Sequence, residues 1–132
     1  MTISVPDTRQ YPLVAYAAYA FGDLVSAVAS KLFELPLGAI VTGGYYLLDV
    51  VFDSGTSDAI TVGDTDVDEY VADANAADAV AVTALTITGI EVAAANTAVN
   101  IIWTGAGTAP TQGNGRVFAE YIDPGRSNEN FE

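Results

Sequence analysis

The chain has 132 residues and contains neither Cys nor His, which excludes disulfides, zinc fingers, thiol catalysis and an imidazole general base. Four Lys and Arg against 17 Asp and Glu leave a net charge of −13, so direct binding to nucleic acid is not expected. A hydrophobic content of 51% argues against disorder and predicts one folded core.

The first third of the chain is predicted to hold an extended arm followed by two strands. Pro6 and Pro12 favour extended backbone, so we assign residues 1–12 to the arm. Residues 14–21 alternate Tyr and Ala with the period of a strand. Residues 24–35 fit either a strand or a helix, and we favour a strand because neither end carries a helix cap.

Residues 39–53 form the longest predicted strand, which is rich in β-branched and aromatic side chains. Gly43 and Gly44 within it indicate a bulge or a close backbone contact. Over residues 45–52 both faces are apolar except at Asp49, so one face should meet the core and a neighbouring subunit should cover the other. We expect Asp49 to bind a backbone donor or one of the rare basic side chains.

The second half of the chain predicts further short strands separated by turns. Ile60 and Val62 share one face of a strand over residues 59–63. Residues 64–78 are acidic and rich in Ala, and a helical turn is expected around Tyr70. Four more strands are predicted at residues 80–87, 90–94, 97–103 and 116–122.

The strand count favours an all-β fold. About eight short strands with regular turn signals are typical of an antiparallel β-sandwich, and a jelly roll limits its exposed edges. We assign the sandwich to residues 13–124 and a tail to residues 125–132. Charged residues interrupt the apolar stretch over residues 13–37, so no membrane-spanning helix is predicted.

One acidic segment resembles a metal site. Asp64, Asp66 and Asp68 alternate as calcium ligands can, but Glu69 and Asn75 stand where an EF-hand loop needs Gly and Glu. The alternative is a solvated acidic turn in which Asp68 caps a short helix. We predict no metal and no cofactor, and these three aspartates are the candidates if a cation binds.

Residues 103–126 contain a turn rich in Gly, Pro and Thr between two strands. No Lys and no helix start accompany its glycines, so we interpret them as a strand connection rather than a phosphate loop. Trp103 and Tyr121 are predicted to anchor the two sides, and Arg116 and Arg126 to pair with surplus carboxylates.

The predicted functional residues are those of an interface, and no catalytic residue is predicted. Apolar and aromatic side chains on the strands are the candidates, because aromatic residues are frequent anchors between subunits. They are Tyr45, Tyr46, Leu48, Val50, Phe52, Trp103 and Tyr121.

Three segments resemble the head-decoration, or capsid cement, proteins of tailed bacteriophages: LPLGAIVTGGYYLLDVVFDSGTSDAITVGD, ALTITG and WTGAGTAPTQGNGRVFAEYIDPGR. The resemblance implies a β-sandwich, usually trimeric, that lies on the outer surface of the icosahedral shell and bridges major-capsid subunits without catalysis. The chain departs from the family pattern in its low Lys and Arg content and its apolar first 35 residues.

The resemblance predicts a structural virion protein whose partners are the major capsid protein and further copies of itself. The alternative is a carbohydrate-binding or adhesin-like module of a tail or fibre, which would use exposed tyrosines. An enzyme is the least expected of the three classes, because the chain has no His and no Cys.

Overall fold

The computed structural model describes residues 8–9, 11–95, 97–124 and 129–130, with side chains for 11–95 and 97–124. Apart from a three-residue 3-10 turn at Phe21–Asp23, the regular elements of this part are strands. No helix in it is long and apolar enough to cross a bilayer. The strands are β1 (Thr8–Arg9), β2 (Leu13–Ala20), β3 (Ala29–Leu35), β4 (Ile40–Val50), β5 (Ser57–Gly63), β6 (Val71–Asn75), β7 (Ala81–Ala84), β8 (Thr97–Ala106), β9 (Asn114–Ile122) and β10 (Glu129–Asn130).

Eight of these strands form a sandwich of two antiparallel sheets. Sheet I has the order β2-β9-β4-β7, and sheet II has the order β3-β8-β5-β6. The pairs β5–β6, β4–β7, β3–β8 and β2–β9 nest within one another like one long hairpin, and alternate pairs fall in opposite sheets. This is the topology of a jelly roll, so the predicted fold is confirmed.

The core lies between the sheets and follows the alternation of the strands. Ile60 and Val62 share one face of β5, as predicted, and this face points inward, as do Val117 and Ala119 of β9. Of residues 24–35, which were predicted as a strand, only Ala29–Leu35 form one. The residues before Ala29 form a turn, in which the Ala27 amide donates to the Trp103 carbonyl at 2.8 Å.

The glycine pair in β4 marks a bulge, as predicted. The pairing of β4 with β9 shifts by one residue between Val41 and Gly43, and it shifts again between Leu48 and Val50. The second shift leaves Asp49 as the extra residue of the strand. A bulge re-aims the side chain at the inserted position, and here it contributes a carboxylate to the outer surface of sheet I.

The loop between β8 and β9 contains the glycine-rich turn of residues 103–126, and it connects two strands, as predicted. Asp53 holds it by accepting hydrogen bonds from the backbone amides of Thr111 at 2.6 Å and Gln112 at 3.2 Å. The Thr111 bonds lower the pKa of the Asp53 carboxyl below its usual value. A side chain outside the loop therefore fixes its conformation.

Two predictions about local structure in the middle of the chain were wrong. No helical turn surrounds Tyr70 and Asp68 caps no helix, because the Tyr70 amide bonds instead to the Val62 carbonyl of β5 at 3.0 Å. Strand β6 follows immediately. The strand predicted at residues 90–94 is reduced to one isolated bridge between Glu91 and Ile40. In both places pairing with another strand overrides the local pattern.

The predicted arm and tail are described only in part. Of residues 1–12 the structure describes 8–9 and 11–12, and of residues 125–132 it describes 129–130. Strands β1 and β10 pair antiparallel, with Thr8 opposite Asn130. Arg126 lies outside the described residues. The division into arm, sandwich and tail stays a prediction.

Candidate interaction face

The outer face of sheet I carries an aromatic row. Strand pairing places Tyr16 of β2 opposite Phe118 of β9, and Phe118 opposite Tyr45 of β4. The Tyr45 and Phe118 ring centroids are 5.7 Å apart. Apolar side chains lie on either side of this row, and they are Val14, Leu47 and Val82.

This face is exposed although it is largely apolar. Tyr16 is 58% exposed, Tyr45 45%, Val14 59% and Val82 66%, so no described element of the chain covers them. Contiguous exposed apolar surface of this kind marks an interaction site more often than isolated exposed residues do.

The outer face of sheet II differs in chemistry. Its central strands present mainly small and polar side chains, among them Ala59, Thr61, Asn100 and Thr104, with the half-buried Ile102 as an apolar exception. Lys31 and Glu34 form a surface ion pair at 2.8 Å on β3. Of the two broad faces, the outer face of sheet I is therefore the one suited to burial against another protein.

One ion pair lies within the outer face of sheet I. The Arg116 guanidinium donates from Nε to Asp49 Oδ2 and from Nη2 to Asp49 Oδ1, both at 2.9 Å. This bidentate contact raises the pKa of Arg116 above its ordinary value. Of the two partners predicted for Asp49, a backbone donor or a basic side chain, the structure shows the basic side chain. Because both groups are partly exposed, the pair contributes little to folding stability.

Four of the predicted interface residues lie in the core instead. Tyr46, Leu48 and Phe52 point between the sheets, with at most 2% exposure, and Trp103 is 6% exposed. Their burial corrects their assignment to an interface, because this chain's own side chains already cover them. The apolar run over residues 45–52 has two faces, and only strand pairing determines which one turns inward.

The other three predicted residues retain access to the surface. Tyr45 is exposed, whereas Val50 and Tyr121 are half-buried. Sequence reasoning missed Tyr16 and Phe118 as interface candidates, although each alternates with small or apolar inward residues along its own strand. Alternation separates the faces of a strand but does not show that two strands are neighbours.

A buried tyrosine pair lies beneath the face. The Tyr19 and Tyr46 rings stack with centroids 6.2 Å apart. Burial raises the pKa of Tyr46 to about 12 and raises that of Tyr19 further. Both hydroxyls therefore stay protonated, and the pair acts as neutral packing.

Trp103 is anchored by a carboxylate that sequence reasoning did not single out. Its indole Nε1 donates to Asp58 Oδ1 at 2.8 Å, and the Ser54 amide donates to Asp58 Oδ2 at 3.2 Å. One face of the indole stacks on Phe52 with centroids 5.6 Å apart. A Cβ at Gly105 would lie 2.3 Å from the indole, so Gly105 covers it closely. This tryptophan thus offers no ring face on which a sugar could stack.

The predicted acidic segment is a turn closed by its own hydrogen bonds. Asp64 Oδ1 accepts from the Thr65 hydroxyl at 3.2 Å and from the Asp66 amide at 3.4 Å. The hydrogen bond and the negative charge of Asp66 raise the pKa of Asp68. Within the described residues, no three acidic side chains are grouped so that they could hold a metal ion.

Glu69 in this turn makes stability depend on pH. Its hydrogen bond to Asp64 raises the pKa of Glu69 to about 7, and burial adds to the effect. The folded state therefore keeps a proton that the unfolded state loses near pH 4.5. The resulting stabilisation is complete below pH 4.5 and is lost as the pH rises through about 7.

We expect Glu69→Gln, which retains a hydrogen-bond donor toward Asp64, to remove this component of the pH dependence. Urea unfolding of wild type and variant at pH 5 and pH 8 measures it, with Glu91→Gln as the matched control. Because Glu69 is partly exposed, the expected difference is about 1 kcal/mol. Parallel pH dependences for wild type and Glu69→Gln would contradict the assignment.

Comparisons with known proteins concern the whole sandwich. No protein-family model and no curated protein matches the chain. A chain of the capsid asymmetric unit of cyanophage Pam1 has a similar structure, with a TM-score of 0.71 and 25% identity over 92% of each chain. A chain of the capsid of Ralstonia phage GP4 has a TM-score of 0.60 and 18% identity, covering 93% of this chain and 91% of that one. The second match shows the fold alone, whereas the first also supports a structural role in a phage particle.

Proposed function

We propose that this chain is a structural virion protein that decorates and cements the icosahedral capsid of a tailed phage. It sits on the outer surface as a homotrimer and bridges major-capsid subunits, without a catalytic role. The observation that carries the proposal is the uncovered apolar outer face of sheet I, on a chain that resembles a Pam1 capsid chain.

The face is the part of the surface best suited to contact between copies. A net charge of −13 opposes self-association, and no Lys or Arg occurs between Lys31 and Arg116. The carboxylates of that stretch lie mainly in the turn after β5, on β6 and in the nearby loops. Copies that meet through sheet I bury the aromatic row, and each Å² of apolar surface removed from water stabilises the contact by about 25 cal/mol. The acidic turn follows β5 of sheet II and lies outside this contact.

Trimerisation also supports attachment to the shell. Three weak sites on one rigid body bind with far higher avidity than one site does, so modest contacts with major-capsid subunits are sufficient. A trimer bound to several capsid subunits at once opposes their separation, and this is how it would stabilise the shell.

The double variant Tyr16→Ser/Tyr45→Ser tests the face directly. Both side chains are exposed anchors, so we expect at least a tenfold weaker trimer by sedimentation equilibrium and reduced retention on purified capsids. Ile102→Ser, which removes a half-buried apolar side chain from the outer face of sheet II, is the control and should leave the trimer intact.

Two results would contradict the proposal. Wild-type protein that remains monomeric at micromolar concentration would exclude the trimer. Cryo-electron microscopy of the purified virion that finds the chain in the tail, or not at all, would exclude the capsid location.

A further inference from the structure

Strand β9 places one cation and one anion on the outer face of sheet I. Arg116 and Glu120 both point outward and are four residues apart, which is roughly 13 Å along a strand. Phe118 lies between them on the same side and belongs to the aromatic row. The two charges thus stand at opposite edges of one apolar patch.

Arg116 retains hydrogen-bonding capacity beyond its intramolecular partner. A guanidinium has five N–H donors, and Asp49 takes two of them. The Tyr16 hydroxyl also forms a hydrogen bond with the Arg116 side chain and takes a third donor. The remaining donors can bind an acceptor oxygen supplied from outside the chain.

Glu120 is the complementary group. Its carboxylate has no hydrogen bond or ion pair with any residue that the structure describes, and it is exposed. Across the strand pair it faces Gly43, where an added Cβ would lie 3.3 Å from Glu120 Oε2. A glycine at this register position leaves the carboxylate uncovered toward the outside.

We propose that the occupant of this face is a second copy of the chain, recognised by an ion pair between Arg116 of one copy and Glu120 of the next around the ring of the trimer. The inference rests on the proposed association through sheet I. A strand that carries both a spare donor and an unpaired acceptor suits the head-to-tail contacts of a ring, because each copy donates to one neighbour and accepts from the other. Apolar surroundings strengthen such a pair and fix the register of the contact.

Charge reversal measures the contribution of the pair. Glu120→Arg should weaken self-association at least tenfold in sedimentation equilibrium at low salt, because Arg116 then faces a second cation. Asp68→Arg changes the net charge by the same amount on the acidic turn and is the matched control. It should leave association unchanged or strengthen it.

A charge exchange distinguishes this pair from a general electrostatic effect. In an Asp49→Asn background, which removes the intramolecular partner, Glu120→Arg alone should dissociate the assembly. Adding Arg116→Glu should restore most of the lost affinity, since the signs are then exchanged. Failure of this rescue, or no effect of Glu120→Arg, would overturn the inference.

The tyrosine variants separate this result from the proposed function. If Tyr16→Ser/Tyr45→Ser dissociates the trimer and Glu120→Arg does not, the face is an interface but the proposed ion pair between copies is wrong. If neither change affects the assembly, copies do not meet through sheet I and both proposals fail.

Discussion

Replacing Trp103 with alanine is expected to lower the free energy of unfolding by about 3–5 kcal/mol. The substitution removes a buried indole that stacks on Phe52, and it leaves Asp58, which is only 3% exposed, without its 2.8 Å hydrogen bond. Both losses act in the same direction. Urea unfolding followed by far-UV circular dichroism measures the change.

Two smaller substitutions separate packing from hydrogen bonding at this site. Trp103→Phe keeps an aromatic ring but removes the indole donor, and Asp58→Asn keeps an acceptor but removes the charge. Each should cost about 1–3 kcal/mol. In a double-mutant cycle the two changes should be non-additive, because they act on one hydrogen bond. A loss below about 1 kcal/mol for Trp103→Ala would contradict the core assignment.

Gly44→Ala is expected to destabilise the sandwich by about 3 kcal/mol or more. Gly44 has a φ of 132°, which disfavours any residue with a Cβ, and an added Cβ would lie 2.2 Å from the Phe118 carbonyl oxygen. That oxygen belongs to the backbone of β9 and cannot rotate away, so the strand pair must separate. Thermal and urea unfolding measure the loss.

Gly43→Ala is a matched control within the same glycine pair. Its added Cβ would meet only the end of the flexible Glu120 side chain, at 3.3 Å. We expect a change within about 1 kcal/mol of wild type. Equal effects of the two substitutions would show that the bulge does not distinguish these positions.

These substitutions act on features that the sequence predicted to different extents. The Gly43-Gly44 bulge was predictable because glycine weakens the interior of a regular strand, so a glycine pair there indicates irregular backbone. The burial of Asp58 was not predictable. It depends on Trp103, which lies 45 residues later in the chain and supplies the hydrogen bond that makes burial of a carboxylate tolerable.

The interaction face was likewise predictable from the sequence only in part. Alternation along residues 14–21 and 116–122 predicted two-faced strands, and both strands are confirmed. Nothing local to either strand indicates that Tyr16 lies beside Phe118, more than one hundred residues later, or that Tyr45 completes the row. Tyr46 and Tyr45 are adjacent and chemically identical, and only the position of sheet II determines which one is buried.

The sequence by itself therefore determined the class of fold, the approximate strands and the absence of thiol and imidazole chemistry, because these follow from composition and from a two-residue period. The tertiary structure alone decided which apolar face is core, which is surface, and that Tyr16, Phe118 and Tyr45 lie side by side. The physical reason is that burial and register are set by pairing between strands distant in the chain, and no local pattern carries that information.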